Sequence, residues 1–374
     1  MKILIATGIY PPDIGGPATF SRELAREAKR LGHTPTVLCY ADAASVKGEG
    51  WEVRTVTRQG GAALRYLRYA FACFSLARRS DVVFLQGSVS EGLPGTLAAI
   101  LARKPRLMKI VGDYAWEIYR QSGGKNLELL DEFVRRRHAG KIGRLEKIER
   151  WSVKRAKSVI VPSRYLKKIV AAWGVSEEKI QVIYNTVRPF EVATPRDELR
   201  RKFGVEGKKV LFYVGRLVPW KNLDFIIEAL RDLPQDCLLV IGGDGPCLED
   251  WKKLAQERGV AERVRFLDRI EHAAAGEWFQ AADVFILPSG YEGFSHVVVE
   301  AASVGLPSFV SDQGGNPETQ ELFPRLVTVL PYLDKVAWSK ALLEIPPRGE
   351  SIVSATFEAA AQAYLSAMQK ICAS

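Results

Sequence analysis

Thirteen short apolar runs alternate with helical patterns along this chain, and that alternation allows few folds. The first seven runs are Ile3–Ala6, Thr36–Cys39, Val53–Val56, Val82–Leu85, Leu107–Val111, Val159–Val161 and Ile180–Ile183. Helix-like stretches fall between them near Phe20–Leu31, Leu64–Arg78, Leu93–Arg103, Leu145–Ala156 and Tyr165–Trp173. Strands in strict alternation with helices predict an α/β class with a parallel sheet covered on both faces. In such sheets ligands sit beyond the C-terminal ends of the strands, so the loops after each run are where chemistry is sought.

The pattern breaks once. Residues 188–206 carry Pro189 and Pro195 and no sheet periodicity, which predicts a linker there. Runs then restart at Val210–Val214, Leu238–Ile241, Val264–Leu267, Val284–Leu287, Ser308–Val310 and Leu326–Leu330. A chain of 374 residues exceeds one ordinary core, so two domains are expected: 1–187 and 207–352. The tail 353–374 contains an amphipathic helix over Phe357–Ile371, whose default role is core packing.

Hydrophobic content of 47% with 26% charged residues fits a globular protein rather than a disordered or fibrous one. No apolar run approaches the ~20 residues that span a bilayer. Ile3–Ala6 is too short for a signal-peptide core and reads as a first strand. The cysteines (Cys39, Cys73, Cys237, Cys247 and Cys372) are odd in number and lack metal spacing, which predicts reduced thiols in a cytoplasmic protein.

The net charge of +10 is unevenly spread. Between Val134 and Lys157 ten Lys/Arg face two acids, Glu146 and Glu149, a local +8. Such a segment is either a solvated helix face or a seat for an anionic membrane surface at the inner leaflet. Nucleic acid is not expected, because Trp151 is the main aromatic available for base stacking. The stretch Leu64–Leu76 mixes aromatics with arginines, for which core packing is the default and a membrane interface the alternative. His33, after Leu31-Gly32, reads as a partner for the end of the first helix.

Several loops after strands carry ligand-suited residues. The stretch Ser289-Gly290-Tyr291-Glu292-Gly293-Phe294-Ser295-His296-Val297 follows the run Val284–Leu287 and leads into a helix that Gly305-Leu306-Pro307 stops. A helix start offers amide N–H groups and partial positive charge, suited to phosphate. Glu292 and Glu300 bracket this turn; both on one helix would sit about 80° apart. Placing Glu292 in the loop and Glu300 two turns into the helix lets both face one ligand. A carboxylate accepts two hydrogen bonds, which suits vicinal hydroxyls. The bland reading is that both acids are solvated.

Arg216 and Lys221, in Gly215-Arg216-Leu217-Val218-Pro219-Trp220-Lys221-Asn222, put a bidentate and a point cation at one strand tip, matching a diphosphate. Gly243 and Gly245 form a further glycine-rich turn at the same edge. In the first half, Gly15 and Gly16 open the first helix, where backbone approaches a ligand closely or simply turns. They lack the GxGxxG spacing of a dinucleotide fold. Asp113 stands at the tip of Leu107–Val111, either meeting a reacting sugar or acceptor or capping the next turn.

At these residues the chain resembles the retaining glycosyltransferases of family 4 (glycosyl transferases group 1). The likeness rests on Pro12-Asp13-Ile14-Gly15-Gly16-Pro17, Gly32-His33, Val161-Pro162-Ser163, Ile183–Val187, the Gly215–Asn222 loop, Gly243-Asp244-Gly245-Pro246, Glu292-Gly293-Phe294 to Glu300-Ala301, and Gly314-Gly315-Asn316-Pro317-Glu318.

The resemblance implies the GT-B fold: two Rossmann-like domains facing across a cleft, with the last helix crossing back onto the first. It implies hexose transfer from a UDP- or GDP-linked sugar to an acceptor; the basic 134–157 segment suggests a glycan or lipid-linked acceptor near an anionic membrane face, met by a peripheral enzyme. Arg216 and Lys221 would bind the diphosphate, Glu292 the sugar hydroxyls, and Glu300 the ribose. Amides of Phe294 to Val297 would hold phosphate or sugar, and Gly16 would approach the diphosphate. Asp113, Glu292, Arg216 and Lys221 are then the candidate catalytic residues, with Gly293, Ser295 and His296 completing the donor site. No metal or cofactor is implied, because cations and a helix N-terminus neutralise the departing charge.

The chain departs from the family pattern in three places. Gly112-Asp113 stands where many relatives carry His, Asn222 where Gly is common, and Ser295-His296 where Gly and an apolar residue are common. His296 would either touch the donor sugar or cap the helix. The alternatives are a GT-B sugar-nucleotide epimerase, a glycosyl phosphorylase-like activity, or a basic protein that grips lipid or nucleic acid without chemistry.

Overall fold

The computed structural model describes residues 1–13, 15–42, 49–122, 128–190, 192–352 and 356–373. Ile14 of the first glycine loop and 353–355, at the start of the expected C-terminal segment, lie outside them. The chain divides into two compact units, Met1–Tyr184 with Phe357–Ser374, and Asn185–Thr356.

The first unit runs β1 (Lys2–Thr7), α1 (Gly16–Arg30), β2 (Thr34–Tyr40), β3 (Glu52–Val56), α2 (Ala62–Arg78), β4 (Val82–Gln86), α3 (Gly92–Leu101), β5 (Arg106–Lys109), α4 (Tyr114–Ser122), α5 (Leu130–Arg135), α6 (Gly140–Lys154), β6 (Ser158–Val161), α7 (Arg164–Ala172) and β7 (Ile180–Val182). The second runs α8 (Arg196–Phe203), β8 (Lys209–Val214), α9 (Leu223–Ala229), β9 (Cys237–Gly242), α10 (Leu248–Glu257), β10 (Val264–Phe266), α11 (His272–Ala281), β11 (Val284–Leu287), α12 (His296–Ser303), β12 (Ser308–Ser311), α13 (Asn316–Leu322), β13 (Val327–Leu330) and α14 (Lys335–Leu343). The last helix, α15 (Phe357–Ala373), belongs to the first unit.

Both sheets are parallel, in the orders β3-β2-β1-β4-β5-β6-β7 and β10-β9-β8-β11-β12-β13. Strands covered by helices on both faces need apolar side chains on both, which is why the central runs are continuous rather than alternating. Val82–Gln86 and Val284–Leu287 are buried at every position. Each sheet has a switch point where the strand order reverses, between β1 and β4 and between β8 and β11. The loops leaving those four strands are therefore splayed apart and open to a ligand.

Helix α15 packs on α1 and the sheet of the first unit. Tyr364 lies with its ring 5.0 Å from Phe20 and 5.8 Å from Phe84, and Met368 is fully buried. The sequence-predicted return of the last helix is thus built from aromatic packing.

Three expectations need correcting. Residues 188–206 are not a free linker: the second unit begins at Asn185, and α8 packs on α11. Phe203 stacks 4.1 Å from Trp278, Phe190 lies 5.3 Å from Phe279, and Arg200 donates to Asp283 at 3.1 Å. Its prolines interrupt sheet periodicity, but its aromatics are anchored. Second, α4 and α5 fill the stretch between β5 and α6, where the sequence predicts no helix. Third, Leu64–Leu76 is only partly core: Tyr69, Cys73 and Leu76 are buried, whereas Leu67 and Phe71 are 68% and 77% exposed.

Candidate active site

In the second unit the loops leaving β8 and β11, the two strands at the switch point, meet. The Lys221 ammonium pairs with the Glu292 carboxylate, both side chains being mostly buried. Lys221 ends a short 3-10 turn over Pro219–Lys221, and Asn222 follows with φ 49°. That left-handed conformation favours Gly, with Asn the next best tolerated. Asn222 also uses its side chain: Nδ2 donates to Trp220 O at 3.2 Å, Pro288 O at 3.1 Å and the Tyr332 hydroxyl at 3.1 Å. Gly290 N donates to Trp220 O at 2.7 Å. The two strand-tip loops are thereby stitched together, and the departure from Gly at position 222 has a physical reason.

Glu292 is held from below. Gly315 N donates to Glu292 O at 2.7 Å, and a Cβ on Gly314 (φ 65°) would lie 2.4 Å from that same oxygen. The Gly314-Gly315 pair thus exists to let the β12–α13 turn pass under the Glu292 backbone. Ser311 Oγ donates to Ser289 O, and Asn316 Nδ2 donates to Ser311 Oγ at 3.0 Å.

Glu292 stands in the loop and Glu300 in the helix, as expected, but α12 begins at His296. Glu300 therefore sits one turn in, not two. Ser295 is the N-cap, its Oγ accepting from Val298 N at 3.4 Å, so His296 is the first helical residue and not the cap. Gly293 and Phe294 are buried and Val297 is half-buried. Phe294 O accepts from Asn185 Nδ2 at 3.1 Å. Glu300 Oε1 lies 3.4 Å from His272 Nε2, a neighbour the sequence did not suggest, because α11 contributes it from outside the motif.

Arg216 is exposed at the tip of β8 and forms no ion pair among the described residues. Its carbonyl accepts from the Tyr213 hydroxyl at 3.2 Å. The glycines after β9 have a packing role. A Cβ on Gly243 (φ 137°) would sit 1.9 Å from Gly215 O, and one on Gly245 would sit 2.3 Å from Leu217 O. Leu217 N donates to Asp244 O at 2.9 Å. Gly243 and Gly245 thus fix the Arg216 loop by close backbone approach. The structure brings Arg216, Lys221, Gly243, Gly245, Glu292–Val297 and Glu300 to one sheet edge of the second unit.

The first unit holds the remaining candidates. Gly15 is the N-cap of α1 and Gly16 its first residue, exposed at the end of the loop from β1. Asp113 is 2% exposed, and its Oδ1 accepts from Trp116 N at 2.8 Å. It therefore caps α4, as one of its two sequence readings held. It also hydrogen-bonds Glu149 of α6, which accepts from Tyr114 N at 3.1 Å, Ala115 N at 3.3 Å and the Ser88 hydroxyl. Burial raises the pKa of both carboxyls; the Asp113 charge raises Glu149 further, whereas the hydrogen bond from Glu149 favours the Asp113 carboxylate. Glu91, at the switch point after β4, is likewise pushed up to about 7 by burial. Its carboxyl lies against Gly8 and Gly87, whose added Cβ atoms would meet it at 3.2 and 2.2 Å. The sequence carries no signal for Glu91, and it shows Glu149 only as one of two acids in the basic 134–157 segment.

A family description, "Glycosyl transferases group 1", matches residues 195–341, and a second, "Glycosyltransferase Family 4", matches 14–189. An uncharacterized glycosyltransferase of Methanocaldococcus jannaschii is 30% identical over 363 residues, covering 90% of this chain and 87% of that protein. The chain belongs to glycosyltransferase family 4. This glycosyltransferase is also 26% identical to the alpha-monoglucosyldiacylglycerol synthase of Streptococcus pneumoniae, over 86% of this chain and 73% of that one. Among solved structures, HepE of Anabaena in complex with UDP and glucose superposes with a TM-score of 0.74 at 21% identity, covering 100% of this chain and 98% of that chain. The architecture is GT-B, as the resemblance implied. Membership favours group transfer over the epimerase and the basic binding protein.

Proposed function

We propose that this glycosyltransferase moves a hexose from a UDP- or GDP-linked sugar to a glycan or lipid-linked acceptor, with retention and without a metal. The Lys221–Glu292 contact at the β8/β11 switch point carries the reading. In a nucleoside diphosphate sugar, an anionic phosphate is bonded directly to a ring bearing hydroxyls. A cation and a carboxylate in contact match those adjacent groups. In this reading Lys221 and the exposed Arg216 neutralise the diphosphate, aided by the positive end of α12. Glu292 accepts from sugar hydroxyls and Glu300 from the ribose. The amides from Gly293 to Val297 hold phosphate or sugar.

The bond from the anomeric carbon to the β-phosphate oxygen breaks as the acceptor oxygen bonds on the same face. The acceptor's proton passes to the departing phosphate. Arg216 and Lys221 stabilise that anion, so no metal is needed to neutralise it. Asp113 in the first unit is proposed to serve the acceptor side by positioning the start of α4 at the tip of β5, not by touching the reacting atoms. Support for the donor comes from HepE, crystallised with UDP and glucose, and from a Mycolicibacterium smegmatis relative named as a GDP-mannose-dependent mannosyltransferase, 29% identical over 242 residues.

For the acceptor side, the Streptococcus relative's name points to a lipid. Among the described residues, no helix is long and apolar enough to cross a membrane. On α6, Lys141, Arg144 and Lys147 are exposed while Glu146 and Glu149 are buried, so the outward face is cationic. We place the acceptor at an anionic inner-leaflet surface met through 134–157.

The test is a screen of UDP- and GDP-hexoses with and without chelator, reading product by mass and anomeric configuration by proton NMR. Retained configuration, undiminished by chelator, is expected. An inverted product, or none with any donor, contradicts the proposal.

A further inference from the structure

Six of the eleven large apolar side chains exposed among the described residues lie on two neighbouring helices: Leu64, Leu67 and Phe71 on α2, and Leu97, Ile100 and Leu101 on α3. Exposed apolar residues are ordinary when scattered, but not when more than half gather on one surface.

The sequence of α3 explains why. Gly92–Leu101 contains no charged residue. Its small residues face inward, where a Cβ on Gly95 would meet Leu85 at 2.4 Å. Its large residues are left facing out, the reverse of a water-facing helix. On α2, Tyr69, Cys73 and Leu76 supply the core, so Leu67 and Phe71 are surplus to it, at 68% and 77% exposure. The charges on α2 are all positive: Arg65, Arg68 and Arg78.

Helix α3 in turn lies against α6, whose outward face carries Lys141, Arg144 and Lys147 around a half-buried Trp151. The Arg155 guanidinium covers the Trp151 ring at 4.2 Å. Three adjacent helices thus present apolar side chains at one end and cations at the other. An apolar patch bordered by positive charge complements the interface of a bilayer, where acyl chains lie just beneath anionic headgroups. A second copy of this chain would bring cation against cation, which disfavours self-association through the same surface.

We propose that the α2–α3 face inserts into the interface of an anionic bilayer, with α6 steering and orienting it. This deepens the membrane-side acceptor proposed above and rests on different residues. Vesicle binding is measured without donor, so its outcome is separate from that of the donor chemistry.

The experiment is cosedimentation with vesicles of equal parts phosphatidylcholine and phosphatidylglycerol, and with phosphatidylcholine alone. Two variants are compared with the full chain. L67Q/F71S/L101Q alters three exposed side chains, so the fold is retained and melting checks it. K141E/R144E/K147E reverses the steering face. The apolar variant is expected to lose at least about tenfold in affinity for the anionic vesicles, at low and at high salt. The charge variant is expected to lose comparably at low salt and little at high salt. Unchanged binding by the apolar variant would overturn the proposal. So would a wild-type dimer that the apolar variant dissolves while vesicle binding stays the same.

Discussion

The two sheet edges of this molecule share a topology but handle charge in opposite ways. At the second unit's edge, a lysine pairs with a carboxylate and an arginine stands exposed beside them. At the first unit's edge, Glu91, Asp113 and Glu149 are buried, and burial favours their protonated forms. Asp113 and Glu149 satisfy the first amides of α4. The difference teaches that a parallel sheet's open edge is a location and not a function. One edge holds a paired lysine and an exposed arginine, whereas the other spends its acids on holding a loop and a helix start.

Breaking the second edge is expected to give the largest effect. Lys221→Ala should lower kcat/KM by about 10²–10³, the range for removing one preorganised charge stabiliser. It should also cost about 1–3 kcal/mol of stability, because removing one partner of a mostly buried pair leaves Glu292 without its cation. Steady-state kinetics and urea unfolding measure the two. A Lys221→Ala enzyme with intact turnover would erase the contrast.

The first edge should fail by unfolding instead. Glu149→Ala leaves the Tyr114 and Ala115 amides and the Ser88 hydroxyl without their shared acceptor. A loss of about 2–3 kcal/mol in unfolding free energy is expected. Equal stability to wild type would mean that the carboxyl pair does not hold α4.

A third variant, which leaves wild-type stability unchanged in acid, sharpens the same contrast through pH. Glu91 keeps its proton to about pH 7 in the folded chain, against an ordinary value of 4.5. Unfolding releases that proton in between, so stability from this group falls as pH rises from about 4.5 to about 7. Glu91→Gln, neutral at every pH, should match wild type near pH 4 and exceed it by about 3 kcal/mol at pH 8. Parallel stability curves for the two proteins would show that Glu91 is solvated.

Much of this was legible in the sequence because strands buried on both faces announce themselves locally. Val284–Leu287 is a strand with the bounds its apolar run predicts, and the other runs agree within a residue or two. The Glu292 to Glu300 stretch was legible for the same reason, being a strand, a glycine and a helix in order. What escaped were contacts made at a distance. Glu149 looks like one acid in a basic helix until Ser88, 61 residues earlier, folds over it. Phe71 looks like core until Tyr69 and Cys73 are seen to fill that role. Gly243 and Gly245 read as a phosphate turn, yet their neighbours are the carbonyls of Gly215 and Leu217. Helix phase and loop stitching depend on which partner arrives, and spacing alone does not contain it.

The second unit is proposed to grip a nucleoside diphosphate through Lys221, Arg216 and Glu300. Titration calorimetry with UDP and GDP tests this directly. Wild type should bind at least one at submillimolar concentration, and Lys221→Ala and Glu300→Ala should each weaken it by roughly tenfold or more. Failure of both nucleotides to bind, or wild-type affinity in both variants, would contradict it.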